Sequence, residues 1–534
     1  MSAYFIVIYC VCVIYMSLNF KYDIQMFQQN SYRLPRYWRW LRRDNIGSTW
    51  RLVDVACFFL MFSVLLYFPM AALGVALVAL TKTFLIFRKK YKKPLVFTPR
   101  VWRLYSVTLL LSIGSVVAVA IIAGNKTWWE VYPGQSLTIG LILLLCIFSW
   151  LPVMIADIIL IPVERIIRNG YIKDAKRILR SMPDLRIIGI TGSYGKTSTK
   201  HYLARILSEE FDTVMTPGSF NTPMGVVRTI REHLKPYNEI FICEMGAKQP
   251  GDIKEICDIV HPSMGIITAV GPMHLETFKT LDRVRSTKFE LADALPSDGL
   301  IAINNDSDPC KNRPVENVKA IRYGVNTRKG CQYYAYNVRY TPEGTLFHVS
   351  GPEGMDFEVT TRLLGECNVA DLMGAIVIAL SLGMAPDKIA LAISSIEPVE
   401  HRLSIRKHPG GVTVIDDAFN SNPAGARMAV DVLAHFDDGK RILITPGMVE
   451  LGDRQAELNQ EFGDYIGTGN KVDFVIVVGH TNRDAILKGL SRTDFPEDNV
   501  KIADSFAQAQ SFLQPMLEPG ATVLYENDLP DSFK

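Results

Sequence analysis

The chain has 534 residues, enough for two to four domains, and 49% of them are hydrophobic. Its net charge is only +3, which is too small to indicate a nucleic-acid partner. The nine cysteines form no C-x-x-C pair and no cluster with histidine, so the sequence predicts neither a zinc ribbon nor a disulfide framework, and reduced, cytosol-facing thiols fit best.

Residues 1–163 are predicted to form a transmembrane region of about five helices. The first apolar segment lacks the basic leader and the cleavage site of a secretory signal, so we interpret it as a retained helix. The longest segment would overshoot a bilayer as one helix, so two helices that turn near Tyr67 and Pro69 are favoured over a single kinked helix. The segments are Tyr4–Leu18, Leu52–Phe87 (two helices), Leu104–Gly124 and Ser136–Pro162.

Basic residues in the loops predict the orientation of these helices. Segments 20–51 and 88–103 carry seven Lys or Arg residues each, whereas the loop 125–135 carries only Lys126. Under the positive-inside rule, both basic segments and the large C-terminal part face the cytoplasm, and five spans satisfy every loop. Three aromatic residues in the loop 125–135 suit a membrane interface: Trp128, Trp129 and Tyr132.

The basic loops have more than one interpretation. They can bind anionic lipid headgroups or a phosphorylated substrate, or serve only as topology determinants. The arginine-rich aromatic stretch 32–43 is best suited to hold a ligand, and it fits an interfacial amphipathic helix equally well. Residues 164–183 are predicted to form a connecting helix that ends before Pro183.

The stretch Arg186–Lys200 predicts a phosphate-binding loop. An apolar strand ends in three glycines, and G-K-T-S then opens a helix. Glycines let backbone N–H groups approach an anion, Lys196 can reach terminal phosphates, and the Thr197 hydroxyl is placed to ligate Mg²⁺. The spacing is shorter than in the strict P-loop motif, so a chance glycine-rich turn is the alternative. The expected phosphate contacts are Gly192, Ser193, Gly195, Lys196, Thr197 and Ser198.

Strands and helices alternate from residue 184 onward, which predicts parallel sheets covered by helices. Residues 331–362 resemble a β-rich insertion, and a second set of strands after residue 403 predicts a separate Rossmann-like domain. The predicted strands are Arg186–Thr191, Glu239–Glu244, Met264–Ala269, Leu300–Asn304, Val412–Asp417, Arg441–Thr445, Phe474–Val478, Val500–Ala503 and Thr522–Tyr525, and two of the predicted helices are Thr197–Glu210 and Pro223–His233.

Five polar residues follow these strands or lie between them. Glu244 ends a strand in C-E-M-G-A, where a carboxylate beside the phosphate loop suits a metal ligand. His274 follows a Gly-Pro turn at the same sheet edge, although a lone histidine is more often structural. Lys288 by itself looks like a surface helix residue. Asp416 and Asp417 end the first strand of the last domain, where they can contact ribose or metal or cap a turn.

The ordered motifs T-G-S-Y-G-K-T-S, E-M-G-A, G-P-M-H-L-E, S-T-K-F-E, H-R-L, D-D-A-F-N-S-N-P and P-G-M-V-E-L-G resemble the Mur ligase family. The resemblance covers roughly residues 184–452 and is greatest to the branch that adds D-alanyl-D-alanine to the cell-wall precursor. It implies an α/β P-loop central domain at 184–402, a Rossmann-like C-terminal domain at 403–534, and an ADP-forming amide ligase that acts through an acyl phosphate.

The resemblance also implies individual roles. Lys196, Lys288, His274 and Arg402 correspond to the catalytic residues, and Arg402 reaches the terminal phosphate of ATP. The implied ligands of two Mg²⁺ ions are Thr197, Glu244, His274 and Lys288, the last as a carbamate. Asn305 and Asn368 correspond to adenine contacts, and Asp417 corresponds to a ribose contact.

Several positions depart from the family pattern. Membrane helices stand where the family has its UDP-substrate domain, so a UDP-linked muramoyl peptide is disfavoured as the donor. The family's His-Asn pair, a following Asn, a Tyr, a His and a K-G-S motif are changed or missing here. The corresponding positions are Cys367, Asp371, Phe419, the neighbourhood of Asn459, and Tyr525–Asp528.

The sequence therefore predicts a multi-pass protein of the bacterial inner membrane with cytoplasmic catalytic domains. Its expected partners are the lipid bilayer, ATP, and a lipid-linked or membrane-proximal carboxylate that is joined to an amine, with no nucleic acid. Two alternatives stay open: a synthetase of a poly-γ-glutamate-like polymer, and a non-catalytic, nucleotide-responsive membrane scaffold or transporter subunit.

Overall fold

The structure is a computed structural model, and it comprises two compact units that we describe separately. The first unit contains the residues up to Arg168, and the second runs from Asn169 to Leu529. The structure describes residues 3–44, 49–63, 68–88, 94–124, 133–325, 327–341, 344–399, 401–408, 410–418 and 421–528.

The first unit is helical in its described part. Its helices are α1 (Ala3–Gln29), α2 (Leu34–Asp44), α3 (Thr49–Ser63), α4 (Phe68–Arg88), α5 (Pro99–Gly124), α6 (Pro133–Ile147) and α7 (Trp150–Arg180), the last of which continues past Arg168. Helix α1 is longer than the predicted apolar segment because Phe20, Ile24 and Phe27 keep its buried stripe at helical spacing. The predicted connecting helix is the C-terminal part of α7.

By length and composition, the described residues contain three helices that could cross a membrane, or four if one bent pair counts as a span. The three segments are Ile6–Gln29, Ala71–Arg88 and Pro99–Ile122, and the bent pair joins α6 to α7 at 76°. Helix α3 is described over 15 residues, about 22 Å at 1.5 Å per residue. The predicted count of five spans stays a prediction.

Some sequence predictions for this region fall outside the described residues. These are the turn at Tyr67, the interfacial aromatics Trp128, Trp129 and Tyr132, and the lysines of segment 89–93. Pro69 lies in the first turn of α4, a position that accepts proline because its missing N–H has no helical partner there.

Two buried ion pairs link the helices of the first unit. Asp23 of α1 lies 3.3 Å from Arg51 of α3, and Asp54 of α3 lies 2.7 Å from Lys82 of α4. Tyr15 of α1 also donates to Asp54 at 2.9 Å. Breaking a buried pair leaves an uncompensated charge, so these contacts hold α1, α3 and α4 in one arrangement.

The second unit contains a nine-stranded sheet in the order β2-β3-β1-β4-β5-β6-β7-β8-β9. Pairing is parallel from β2 to β7 and antiparallel through β9. The strands are β1 (Arg186–Thr191), β2 (Thr213–Met215), β3 (Ile240–Glu244), β4 (Met264–Ile267), β5 (Leu300–Asn304), β6 (Lys319–Val325), β7 (Tyr333–Thr341), β8 (Gly344–Ser350) and β9 (Asp356–Thr361). The connecting helices are α8 (Lys196–Leu207), α9 (Pro223–Glu232), α10 (Asp252–Val260), α11 (Leu275–Phe278), α12 (Leu281–Ala294), α13 (Asp308–Lys311), α14 (Glu366–Ser381) and α15 (Pro386–Ser394).

A six-stranded sheet follows in the order β10-β11-β15-β12-β13-β14, with β10 antiparallel and the other strands parallel. Its strands are β10 (Ser404–His408), β11 (Val412–Asp417), β12 (Arg441–Thr445), β13 (Phe474–Val478), β14 (Val500–Ala503) and β15 (Thr522–Glu526). Its helices are α16 (Pro423–Ala434), α17 (Gln455–Gly467), α18 (Arg483–Leu490) and α19 (Phe506–Leu513).

These sheets confirm the predicted α/β folds and the β-rich insertion, now seen as β7 to β9. Strands β2, β6 and β10 were not predicted. The central strands are continuous apolar runs because helices cover both faces, as they do in parallel sheets. The carboxyl ends of β1, β3, β4 and β5 meet at one sheet edge, which is where such folds place ligands.

Candidate active site

The loop between β1 and α8 packs tightly on its neighbours. Gly195 has φ +75° and precedes α8, and a Cβ there would collide with the Asp371 carboxylate. A Cβ at Gly192 would collide with Thr268, and Ser193 exchanges hydrogen bonds of 3.1 Å with Gly271. Glycine is therefore required at these two positions for two reasons: a side chain would collide with neighbouring atoms, and the backbone has a positive φ.

Lys196 folds back over this loop. Its Nζ donates to the carbonyl oxygens of Gly192 at 2.8 Å and Ser193 at 3.1 Å. Burial lowers the pKa of Lys196 to about 8, although the Glu244 carboxylate opposes the shift and Arg402 adds to it. The ammonium thus lies at the mouth of the loop, where a phosphate group would meet it.

Glu244 is buried at the end of β3 and is surrounded by donors. Thr197 Oγ1 donates to its carboxylate at 3.2 Å, and Asn221 donates to it at 2.9 Å. Burial alone would raise the pKa of Glu244, but the Lys200 and Lys196 ammonium groups outweigh burial and lower it. The predicted neighbours Thr197 and Glu244 are therefore in contact, and the carboxylate is ionised.

Lys200 is a site residue that the sequence prediction missed. Its side chain has no solvent exposure, its Nζ lies 3.0 Å from Glu244 Oε2, and it donates to the Gly218 carbonyl at 2.6 Å. The available signal was its spacing, because residues four apart on a helix share a face and Lys200 follows Lys196 by one turn.

His274 meets the C-terminal domain through Glu450, a partner that the sequence did not predict. Its Nδ1 pairs with the Glu450 carboxylate, and both residues have left-handed backbone, with φ of 51° and 63°. Burial lowers the pKa of His274 despite Glu450, and Lys248 and Lys288 add to the lowering, so the ring is neutral at pH 7. Asn459 holds the loop that carries Glu450 by bonding to both backbone groups of Met448.

Lys288 lies in α12 with only 3% of its surface exposed, so the interpretation as a surface residue is wrong. Burial and the Lys196 ammonium lower its pKa well below the usual value, although Asp252 and Glu290 oppose this. A neutral amine is the form that can react with carbon dioxide to give a carbamate. The environment therefore suits the predicted modification.

Arg402 and Asp417 are the predicted site residues at the start of the C-terminal domain. The charge of Arg402 acts on the pKa values of Lys196, Asp371 and Asp417. Burial and the Glu526 carboxylate raise the pKa of Asp417 to about 8 in spite of Arg402. His401 and Leu403 on either side of Arg402 have φ of 58° and 47°, so strained backbone positions the arginine.

The two asparagines predicted to contact adenine bond to protein groups. Asn305 donates to the Lys329 carbonyl at 3.2 Å, and Arg322 donates to its side-chain oxygen at 3.3 Å. Asn368 accepts from Tyr202 at 2.7 Å and donates to the Leu364 carbonyl. Their role towards a nucleotide stays a prediction, and the predicted contact Ser198 is buried in the first turn of α8.

The donor atoms fit Mg²⁺ at one of the two predicted positions directly. A hydroxyl and an ionised carboxylate, Thr197 and Glu244, are hard oxygen ligands. At the other position, His274 and Lys288 would need the carbamate to supply an anionic oxygen. Among the described residues, no three His, Cys, Asp or Glu side chains form a metal-binding group.

Two family models match the second unit in chain order. The Mur ligase middle domain matches residues 190–379, and the Mur ligase, glutamate ligase domain matches residues 401–525. A UDP-N-acetylmuramoyl-tripeptide–D-alanyl-D-alanine ligase of Bacillus subtilis is 30% identical over 334 residues, which are 62% of this chain and 70% of that protein.

The chain belongs to the Mur ligase family. It is an ATP-dependent amide ligase. A Mycobacterium tuberculosis protein with the same name as the Bacillus relative is 32% identical over 364 residues, 64% of this chain and 70% of that protein.

Solved Mur ligases share the fold of the second unit. MurF from Acinetobacter baumannii superposes with a TM-score of 0.60 at 24% identity, over 68% of this chain and 77% of that chain. MurF from Thermotoga maritima in complex with ADP gives 0.60 at 23% identity, over 68% and 80%. Because the chain belongs to a family of ligases, the scaffold alternative is not favoured.

Lys200→Met is expected to lower the free energy of unfolding by about 3–5 kcal/mol, because Glu244 is left buried without its partner. Lys200→Met/Glu244→Gln should recover most of the loss, since no uncompensated charge remains. Pulse proteolysis of the full-length protein in urea measures both effects.

The matched control is Lys254→Met, which breaks an exposed ion pair with Asp258 and should cost less than about 1 kcal/mol. Equal losses for the double variant and Lys200→Met would contradict the role assigned to the buried pair.

The pH dependence of stability should also reflect Glu526. Burial raises the pKa of Glu526 to about 7, although hydrogen bonds from Ser421 and Thr445 oppose the shift. Because the folded state holds this proton more tightly than the unfolded state, the contribution of Glu526 to stability is fully present below the ordinary pKa of 4.5 and is lost as pH rises through about 7. Glu526→Gln should flatten this fall by up to about 1.4 kcal/mol per pH unit. Asp417, whose pKa is also raised, lowers stability over the same pH range, so part of the pH dependence should remain in the Glu526→Gln variant.

Urea unfolding at a series of pH values checks this expectation, with the exposed Glu518→Gln as the control. A steeper fall in Glu526→Gln than in the unmodified protein would refute the assignment.

Proposed function

We propose that this protein is a membrane-embedded Mur ligase that joins an amine to a carboxylate of a peptidoglycan precursor presented at the bacterial inner membrane. ATP transfers its γ-phosphoryl group to a carboxylate oxygen, ADP leaves, the amine attacks the acyl carbon, and phosphate leaves as the amide forms. The observation that supports the proposal is the electrostatic coupling of these side chains: Lys196 affects the pKa values of Glu244 and Lys288, Lys288 affects that of His274, and Arg402 of the C-terminal domain affects that of Lys196.

The residues of the site suit phosphoryl transfer to an anion. The glycine loop and Lys196 would hold the terminal phosphates, and Arg402 would offset the charge that builds up when a carboxylate approaches them. Thr197 and Glu244 would hold one Mg²⁺, and a carbamate on Lys288 with His274 would hold a second. Bound Mg²⁺ supplies charge neutralisation at the phosphate oxygens.

Exposed apolar side chains support the bilayer as a partner. Large exposed apolar residues are concentrated in the first unit, where Leu110 is 72% exposed and Phe87 is 70% exposed. Only 17% of the most apolar segment of α5 is buried within the protein. A soluble surface rarely carries such continuous apolar area, whereas a lipid-facing surface requires it.

The relatives provide the substrate class. Their names specify a UDP-N-acetylmuramoyl-tripeptide and D-alanyl-D-alanine, and we assign the same kind of peptide carboxylate and amine to this protein. Membrane helices precede the catalytic domains, which favours a lipid-linked form of the donor over the UDP-linked form. A poly-γ-glutamate-like polymerase has no supporting contact in the described site.

The test uses the full-length protein in lipid nanodiscs with ATP, D-alanyl-D-alanine, and either lipid-linked or UDP-linked muramoyl tripeptide. Release of ADP and formation of the amide product should both be at least about tenfold faster with the lipid-linked donor. A tenfold difference corresponds to about 1.4 kcal/mol, roughly the contribution of one binding interaction. Lys196→Ala should abolish ADP formation, because the terminal phosphates lose their cation.

Lys254→Ala, an exposed lysine on α10, is the matched control and should keep full activity. Unchanged ATP consumption in Lys196→Ala would contradict the site. Faster turnover of the UDP-linked donor would contradict only the membrane-presented substrate.

Lys288→Ala should be nearly inactive, and added short carboxylates should partly restore activity by replacing the anionic group of the carbamate. Mass spectrometry of the intact protein under bicarbonate should detect the added carbon dioxide on the unmodified protein and not on the variant. Full activity of Lys288→Ala would remove the carbamate from the mechanism.

A further inference from the structure

His274 and Glu450 come from different domains of the second unit and meet through their side chains. His274 follows β4 in the central domain and immediately precedes α11, whereas Glu450 lies in the loop after β12 of the C-terminal domain. The contact joins His274 Nδ1 to a carboxylate oxygen of Glu450. The exposed fraction is 15% for the His274 side chain and 32% for that of Glu450, so most of the pair is shielded from water.

The loop that carries Glu450 is fixed by a buried amide side chain. Asn459 has no solvent exposure, accepts from the Met448 N–H at 2.8 Å and donates to the Met448 carbonyl at 2.9 Å. A Cβ at Gly447 would collide with Asn459, so the loop packs directly on this amide. The C-terminal domain therefore positions the Glu450 backbone through contacts that do not involve His274.

His274 is fixed by contacts within the central domain. Its carbonyl accepts from Thr277 Oγ1 at 3.0 Å and from the Phe278 N–H at 3.1 Å, and Leu275 and Phe278 are buried in the core. The backbone of His274 is left-handed, as is that of Glu450. Non-glycine residues keep this conformation only where their surroundings impose it, so both members of the pair are held in place.

The atoms in contact determine the tautomer of the histidine ring. An ionised carboxylate only accepts hydrogen bonds, so the ring nitrogen that faces Glu450, Nδ1, carries a proton and donates it. In the neutral ring, the other nitrogen, Nε2, then keeps a free lone pair. A histidine that ligates a metal commonly donates its second ring N–H to a carboxylate in this way.

We propose that Glu450 is a positioning residue for the metal position that His274 and Lys288 would form. By accepting the Nδ1–H, it holds the His274 ring in the tautomer that leaves Nε2 available to a metal. The proposal rests on the second Mg²⁺ position given under Proposed function. Because Glu450 belongs to the C-terminal domain, the central domain cannot set this tautomer by itself, and the metal position is complete only when the two domains are in contact.

NMR of the ring nitrogens reads the tautomer without any metal, in the full-length protein labelled with ¹⁵N-histidine in lipid nanodiscs. The signals that are lost in His274→Ala identify the ring. The Nδ1–H tautomer is expected in the unmodified protein and in Glu450→Gln, whose amide oxygen still accepts. The Nε2–H tautomer is expected in Glu450→Met, which has no acceptor. Finding Nε2–H in the unmodified protein, or Nδ1–H in Glu450→Met, would overturn the proposal.

Electron paramagnetic resonance of Mn²⁺, with ADP and bicarbonate present, tests the consequence for the metal. Glu450→Met should weaken binding of the second Mn²⁺ by about 10–100-fold, and Glu450→Gln should retain most of the affinity. The first Mn²⁺ and ADP should bind as before, because Thr197, Glu244 and the phosphate loop are unchanged.

Glu457→Met is the matched control, since it removes an exposed glutamate of the same domain that pairs with Arg454, and it should bind both Mn²⁺ ions normally. Equal weakening of ADP and of the second Mn²⁺ in Glu450→Met would overturn the proposal, because a contact that only joins the domains would act on both. Unchanged affinity for the second Mn²⁺ would overturn it as well. A single bound Mn²⁺ in the unmodified protein would instead contradict the second Mg²⁺ position and with it the metal role of Glu450, while the tautomer measured without metal would still stand.

Discussion

The burial of Glu244 among cations is the interaction on which the active site depends. A carboxylate in the protein interior stays ionised only if positive charge compensates it, and here Lys200 provides that charge at 3.0 Å. The pair joins α8 to the end of β3 and, through the Gly218 carbonyl, to the segment after β2. Because α8 also begins the phosphate loop, one buried contact fixes the distance between the phosphate-binding loop and the carboxylate expected to bind metal.

The sequence predicted the parts of the site that lie next to strand ends. Continuous apolar runs identified β1, β3, β4 and β5, and their shared edge brings Thr197 and Glu244 into contact, as expected. Contacts between distant segments were not predictable in this way. Nothing in the spacing of His274 and Glu450 indicates that they pair, because that contact depends on how two separately folded sheets meet.

Burial was the second property that the sequence could not provide. Lys288 has the surroundings of a surface helix residue in the sequence, but α12 packs it inwards beside the positive charge of Lys196. Apolar composition marked the helical segments of the first unit, whereas the bend of 76° between α6 and α7 is a matter of geometry that composition does not indicate.

Two of the positions that depart from the family pattern, Cys367 and Asp371, lie near the phosphate loop or the C-terminal domain, whereas Phe419 lies outside the described residues. Cys367 donates its backbone N–H to Met428 of the C-terminal domain, and the Asp371 carboxylate packs against Gly195. Burial raises the pKa of Asp371 to about 8, although Arg402 opposes the shift, so a neutral acid lies beside the phosphate loop at pH 7. A neutral side chain there does not repel phosphate, which explains how an acidic residue is compatible with a nucleotide site.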